Sequence, residues 1–417
     1  MLAMTAHVPA SRDEAATLDA ADPLASCRDR FELPDGLVYL DGNSLGPLPR
    51  GVRDRVTRVV DHEWGRDLIQ SWNTAGWYEM PRRLGDRIGR LVGAGPGTVV
   101  AGDSTSVQLF KVLVAGARLR PDRRVLLTEP GNFPTDSYVA ASVARLMGLD
   151  LRWAEPEGLV DALDDDVALV AASHVDYRTG RMHDGATVTA AVNEAGAIMS
   201  WDLAHSAGAV PVALDDWEAD LAVGCGYKYL NGGPGAPAFT YVNQRWQHLV
   251  DQPLVGWWGH AEPFALERDF RPADGIARML VGTPPVLAMS ALDAALDAYD
   301  GVDMADVRAK SLALTDLFVA LTESRLRPYG VEVEVPREHA WRGSQVCLRH
   351  PQAYGLVQAL VARDVVGDYR EPDLGRFGFT PLYLRFVDVW DAVDRAVAVL
   401  DGEEHLRPEY QVRAAVT

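Results

Sequence analysis

From about residue 98 to 242 the chain alternates short apolar runs with stretches of helical spacing, and this alternation constrains the fold more than any other feature. Repeated strand–helix–strand units pack around a mostly parallel sheet. Strands are predicted at Arg124–Thr128 (RVLLT), Asp150–Trp153 (DLRW), Val167–Val175 (VALVAASHV), Ala197–Trp201 (AIMSW) and Ala219–Gly224 (ADLAVG), with helices over Thr135–Met147 and Ala186–Glu194. In open sheets of this kind, ligands bind beyond the carboxyl ends of the strands, so polar residues at strand exits become the candidates for chemistry.

Past about residue 300 the pattern changes. A long amphipathic helix over Ala305–Leu326 precedes VEVEV at 331–335, whose period of two marks a half-exposed strand. A strand near Ser344–Leu348 and helices over Gln352–Ala362 and Val387–Leu400 complete a small α+β unit. The expected organisation is an N-terminal arm (1–45), a large α/β domain (46–300) and a small α+β domain (301–417).

The formal net charge of −19 argues against a nucleic-acid partner, because such a chain repels phosphate backbones. No apolar run approaches the ~18 residues of a membrane span, and the N-terminus lacks the basic start and apolar stretch of a secretion signal. Cys27, Cys225 and Cys347 are odd in number and widely spaced, giving neither a disulfide framework nor a zinc pattern. The ten histidines show no metal-ligand spacing, so no metal is expected. A reduced, cytoplasmic protein is the expectation.

Only Lys111, Lys228 and Lys310 are lysines, against 37 arginines among the 40 basic residues. Arginine stays protonated, so any chemistry that needs a neutral amine is confined to these three positions. None follows a glycine, which excludes the GxxxxGK[ST] phosphate loop. Lys111 and Lys310 fall within helical patterns and read as surface residues with packed stems. Lys228, in GYKYLNGGPG, leaves a strand between glycines and tyrosines. Ser173 and His174 leave a second strand, and Asp202 and His205 (WDLAHSAG) a third. A lysine and an acid at adjacent strand ends suit pyridoxal phosphate, which needs an amine for its Schiff base and a carboxylate for its pyridine nitrogen. Asp103-Ser104-Thr105-Ser106, before the apolar helix VQLFKVLVAGA, supplies hydroxyls and helix-start amides for a phosphate. Phe133 in GNFPTD offers a ring face. One rival motif, Gly42-Asn43-Ser44-Leu45-Gly46, matches the GxSxG nucleophile elbow, but Pro-Leu-Pro follows where a helix should start.

The strings YLDGNSLGPLP, SWNTAGW, GNFPTDSY, WDLAHSAGAVPV, GYKYLNGGPG, PLVGWWGH, GTPP and GDYREPDLGRFGFTPLY resemble kynureninases, pyridoxal-phosphate enzymes of fold type I, from about residue 35 to the C-terminus. The resemblance implies a fold-type-I architecture: a large domain around a mostly parallel sheet and a small C-terminal α+β domain. It implies hydrolysis of L-kynurenine to anthranilate and L-alanine, in tryptophan catabolism and the route to NAD. Lys228 is then the Schiff-base lysine, Asp202 the partner of the ring nitrogen, and Tyr227 a proton donor. Thr105, Ser106, Phe133, Asp136, Ser173, His205 and Tyr227 become further cofactor contacts. Trp257 and Thr283 resemble residues that a neighbouring subunit lends, which implies a homodimer with shared active sites. Arg376 resembles the arginine for the substrate α-carboxylate, and Asn43 a further substrate contact. Trp72 with Gly282 and Thr283 resembles the bacterial pattern for plain kynurenine; the animal pattern, for 3-hydroxykynurenine, has histidine at the first position and asparagine at the last. The nearest alternatives are other fold-type-I enzymes, a cysteine desulfurase or an aminotransferase.

Overall fold

A computed structural model describes residues 8–413 of the chain. The backbone forms two compact units, Gly51–Tyr177 with His183–Asp297, and Met1–Arg50 with Arg178–Met182 and Ala298–Thr417.

The first unit is built on seven strands: β1 (Val99–Gly102), β2 (Val125–Thr128), β3 (Asp150–Trp153), β4 (Val167–Ser173), β5 (Ile198–Asp202), β6 (Leu221–Cys225) and β7 (Ala238–Val242). They lie in the order β1-β7-β6-β5-β4-β2-β3. All run parallel except β7, which pairs antiparallel with both β6 and β1. β4, β5 and β6 are buried along almost their whole lengths, which explains their largely apolar sequences. Their register sets Ser173 beside Asp202, and Asp202 beside Val223, so the exits of three neighbouring strands share one edge.

Four helices matter for the site: α1 (Met80–Leu91), α2 (Thr105–Arg118), α3 (Pro134–Met147) and α4 (Gly185–Glu194). α2 packs on β4, β5, β6 and β7 and is buried nearly all round, as its apolar sequence requires. Gly116 permits the close approach, since a Cβ there would lie 2.8 Å from Leu169 Cδ1 and 3.1 Å from Leu221 Cδ1.

The second unit carries β8 (Glu332–Glu334), β9 (Gln345–Arg349), β10 (Asp368–Arg370) and β11 (Leu374–Gly378) in the antiparallel order β10-β11-β9-β8. Helices α5 (Met304–Arg325), α6 (Ala353–Val361) and α7 (Phe386–Asp401) accompany this sheet. The described residues up to Arg50 belong to the same unit. Val38–Tyr39 pairs in parallel with Val365–Val366. The Asp19 carboxylate accepts the amides of Phe386 (2.6 Å) and Val387 (3.1 Å), capping α7 from 367 and 368 residues away in sequence.

Two lysines depart from expectation. Lys111 is wholly buried and Lys310 nearly so, because each meets a carboxylate and a backbone carbonyl. Lys310 reaches Asp22 (2.6 Å) and the Pro381 carbonyl (2.6 Å). Among the described residues no helix is long and apolar enough to cross a membrane.

Candidate active site

The exits of β4, β5 and β6 bring Ser173, Asp202 and Lys228 to one place. Lys228 Nζ lies 3.3 Å from His205 Nε2 and 5.8 Å from the centroid of the Tyr227 ring. Asp202 is held by the Ala204 amide (2.7 Å) and feels the positive charge of Lys228. Asp136, from the first turn of α3, is buried and hydrogen bonded to Asp202. Ser173 Oγ donates to Asp136 Oδ2 at 3.4 Å.

The electrostatics separate the two acids. Burial raises both, and the neighbouring Asp202 charge pushes Asp136 well above the ordinary carboxylate range, while Lys228 pulls both down. The hydrogen bond between them acts oppositely on the two, raising Asp136 and lowering Asp202, which favours the proton on Asp136 and the negative charge on Asp202. Tyr227 is also pushed up, chiefly by burial and next by Cys225, and keeps its phenolic proton.

Asp103-Ser104-Thr105-Ser106 leads from β1 into α2. Ser104 is the N-cap, its hydroxyl accepting from the Val107 amide (3.5 Å), and Thr105 and Ser106 occupy the first helical turn. Phe133 precedes α3, 44% exposed, and meets the Tyr177 ring edge-on at 5.2 Å.

Trp72 and Trp257 both touch Trp258, at 5.2 and 4.6 Å between ring centroids. Trp257 is partly exposed, and Gly282 and Thr283 lie on an exposed loop, where a Cβ at Gly282 would meet nothing within 4 Å.

Within the second unit, Arg376 on β11 is buried and gripped by Asp368 of β10, with Nε 2.8 Å from Oδ1 and Nη2 bonded to Oδ2. Its Nη2 also donates to Ser44 Oγ (2.8 Å). Asn43 is fully buried, and neither polar atom of its side chain has a hydrogen-bond partner. Asp41 is pushed up to about 7 by burial and by Asp368, and its Oδ1 is likewise unpaired. Ser44 is no nucleophile elbow: its hydroxyl donates to Asp368 Oδ2 (2.5 Å), and no helix begins until Val52.

Comparison with known proteins decides the family. A model described as "Kynureninase C-terminal domain" matches residues 307–396, and one described as "Aminotransferase class-V" matches residues 86–347. A kynureninase of Burkholderia pseudomallei (strain 1106a) is 53% identical over 98% of this chain and 100% of its own length. A kynureninase of Pseudomonas fluorescens is 50% identical with the same coverage. The chain belongs to the kynureninase family. It is a pyridoxal-phosphate-dependent hydrolase acting on carbon–carbon bonds.

The fold is shared more widely than this chemistry. A cysteine desulfurase from Thermococcus onnurineus NA1 superposes with a TM-score of 0.76 at 17% identity, covering 90% of this chain and 98% of its own. The cysteine desulfurase CsdA from Escherichia coli gives 0.77 at 19% identity, covering 91% and 99%. These likenesses establish the fold-type-I architecture. In this kynureninase-family chain all three cysteines are buried, and burial pushes the Cys225 thiol up, away from the thiolate that a desulfurase needs.

The donor set fits the cofactor. Two buried, hydrogen-bonded carboxyl groups beside Lys228 suit a ring that brings a basic nitrogen, and a serine- and threonine-rich helix start suits a phosphate. Sequence reasoning overlooked Asn132, whose side chain receives the Ser173 amide at 3.3 Å, and Asp368, the carboxylate that orients Arg376. A period-two reading of GDYREPDLGRFG as a hairpin was the available signal for Asp368, since it places Asp368 across from Arg376.

Proposed function

We propose that the protein hydrolyses the Cβ–Cγ bond of L-kynurenine, adding one water to give anthranilate and L-alanine, with Lys228, Asp202 and Tyr227 performing the chemistry. One observation carries these assignments: Lys228 and the Asp136–Asp202 pair meet at adjacent strand exits, within a chain half identical to kynureninases along nearly its whole length. Bound pyridoxal phosphate supplies a ring that accepts electrons from the substrate's α-carbon.

The rest is done by the chain. Asp202 keeps the ring nitrogen protonated, and Asp136 keeps Asp202 ionised by holding the pair's proton itself. Lys228 Nζ anchors the cofactor and carries the α-proton. His205, 3.3 Å away, restricts where that amine can sit. Tyr227 holds a phenolic proton beside Lys228 and delivers it to the carbon that becomes the alanine methyl. Ser104, Thr105 and Ser106 at the start of α2 hold the phosphate, with Phe133 and Ser173 around the ring. Arg376 takes the substrate α-carboxylate, with Asn43 as a further contact through its unpaired amide. Trp72 offers the aniline ring a flat surface and favours plain kynurenine over its 3-hydroxy form.

Exposed Trp257 and Thr283 support a homodimer in which each subunit lends these residues to its neighbour. Three cysteines that form no disulfide support a cytoplasmic location.

The test is incubation of the purified full-length protein with pyridoxal phosphate and L-kynurenine. Equimolar anthranilate and alanine are expected; release of a keto acid in place of alanine contradicts the reading. Lys228→Ala should abolish turnover and the borohydride-reducible adduct, and retention of both would remove Lys228 from its role.

A further inference from the structure

Beside the proposed phosphate-binding turn lies an ion pair, buried on its lysine side, that no step of the reaction uses. Lys111, in the second turn of α2, has a side chain with no exposed surface, and its Nζ stands 3.0 Å from Asp103 Oδ2. The same amine donates to the carbonyl of Met279, four residues before Thr283. Burying an ammonium is costly unless it is paired and hydrogen bonded. Desolvation lowers the Lys111 pKa, and Asp103 restores part of the loss.

Asp103 is itself unusual. It immediately precedes the N-cap Ser104, and its backbone sits at φ +48°, a left-handed conformation that costs a non-glycine residue energy. Its carbonyl is fixed by the Ala238 amide (3.0 Å), and the carbonyl before it by Gln108 Nε2 (2.8 Å). An acid at this point places negative charge beside a turn meant for a phosphate dianion. Unopposed, it would repel that dianion.

We infer that Lys111 is a positioning residue for the cofactor phosphate, cancelling the Asp103 charge from inside the protein while the Asp103 backbone, held through its carbonyl, shapes the turn that presents Ser104, Thr105 and Ser106. The inference rests on the pyridoxal-phosphate reading of the site. It distinguishes a charge-balancing role from a merely structural one, because the two members of the pair then act on phosphate with opposite sign. Lys111→Met leaves the carboxylate uncompensated, whereas Asp103→Asn leaves a surplus ammonium.

The experiment measures dissociation constants of pyridoxal phosphate and of pyridoxal, which lacks the phosphate, on apo-protein by quenching of tryptophan fluorescence. Wild type, Lys111→Met and Asp103→Asn are compared, with melting temperatures of each apo-protein alongside. Lys111→Met should weaken pyridoxal phosphate about tenfold or more and pyridoxal less than about threefold. Asp103→Asn should leave pyridoxal phosphate as tight as wild type or tighter. Equal weakening of both ligands by Lys111→Met, or tenfold weakening of pyridoxal phosphate by Asp103→Asn, overturns the inference. Should Lys111→Met not fold, the Asp103→Asn result decides alone. Failure of wild type to bind pyridoxal phosphate would instead strike the cofactor reading itself.

Discussion

Asp136 and Asp202 are hydrogen bonded to each other, an arrangement open to two carboxyl groups only when they share a proton. That contact raises the helix acid and lowers the strand-end acid, which favours the negative charge on Asp202. Asp202→Asn should therefore lower kcat about 10²–10³-fold, the usual cost of losing one preorganised electrostatic partner. Asp136→Asn still offers Asp202 an N–H and should stay within about fivefold of wild type. Steady-state anthranilate production checks both, and an Asp136→Asn loss as large as that of Asp202→Asn would refute the charge assignment.

Asp41 gives a dependence on pH. Its folded-state pKa lies near 7, above the ordinary value of 3.8, so the folded state binds its proton more tightly than the unfolded one. The stability this group contributes is intact below about pH 4 and is lost as pH rises through about 7. Melting temperature between pH 5 and 8 should fall by a few degrees more in wild type than in Asp41→Asn, which has no proton to lose. Parallel curves would show that Asp41 does not titrate in this window.

Arg376 is held by Asp368 through two guanidinium nitrogens and by Ser44 through one of them. A lysine keeps the charge but cannot reproduce that fork, and it leaves Asp368 short of donors in a buried place. Arg376→Lys should raise KM for kynurenine about 10–100-fold with a smaller change in kcat, the expected loss for one charge-assisted pair. A drop in kcat at unchanged KM would remove Arg376 from substrate binding.

Gly116 tests the packing under the site. A side chain there meets Leu169 of β4 and Leu221 of β6, and overpacking of this kind costs about 1–3 kcal/mol. Gly116→Val should lower the melting temperature by several degrees. An unchanged melting temperature would mean that α2 can lift off the sheet without penalty.

Much of this protein was legible along the chain because its signals are local. Short, mostly apolar runs marked β4, β5 and β6 to within about two residues, and helical spacing marked α3, α5 and α7 as closely, since side-chain period follows directly from backbone geometry. Lysine scarcity singled out Lys228, and strand exits singled out Asp202 and Ser173. Only the tertiary structure decided what these residues meet. Asp136 reaches Asp202 across 66 positions, and Lys111 and Lys310 turned out buried because carboxylates and carbonyls from distant segments receive them. Ser44, within a motif that suggested a nucleophile, is instead tied to Asp368, 324 residues on. Burial and electrostatic pairing depend on neighbours in space, and the order of residues along one segment carries no record of which distant charge will lie beside it.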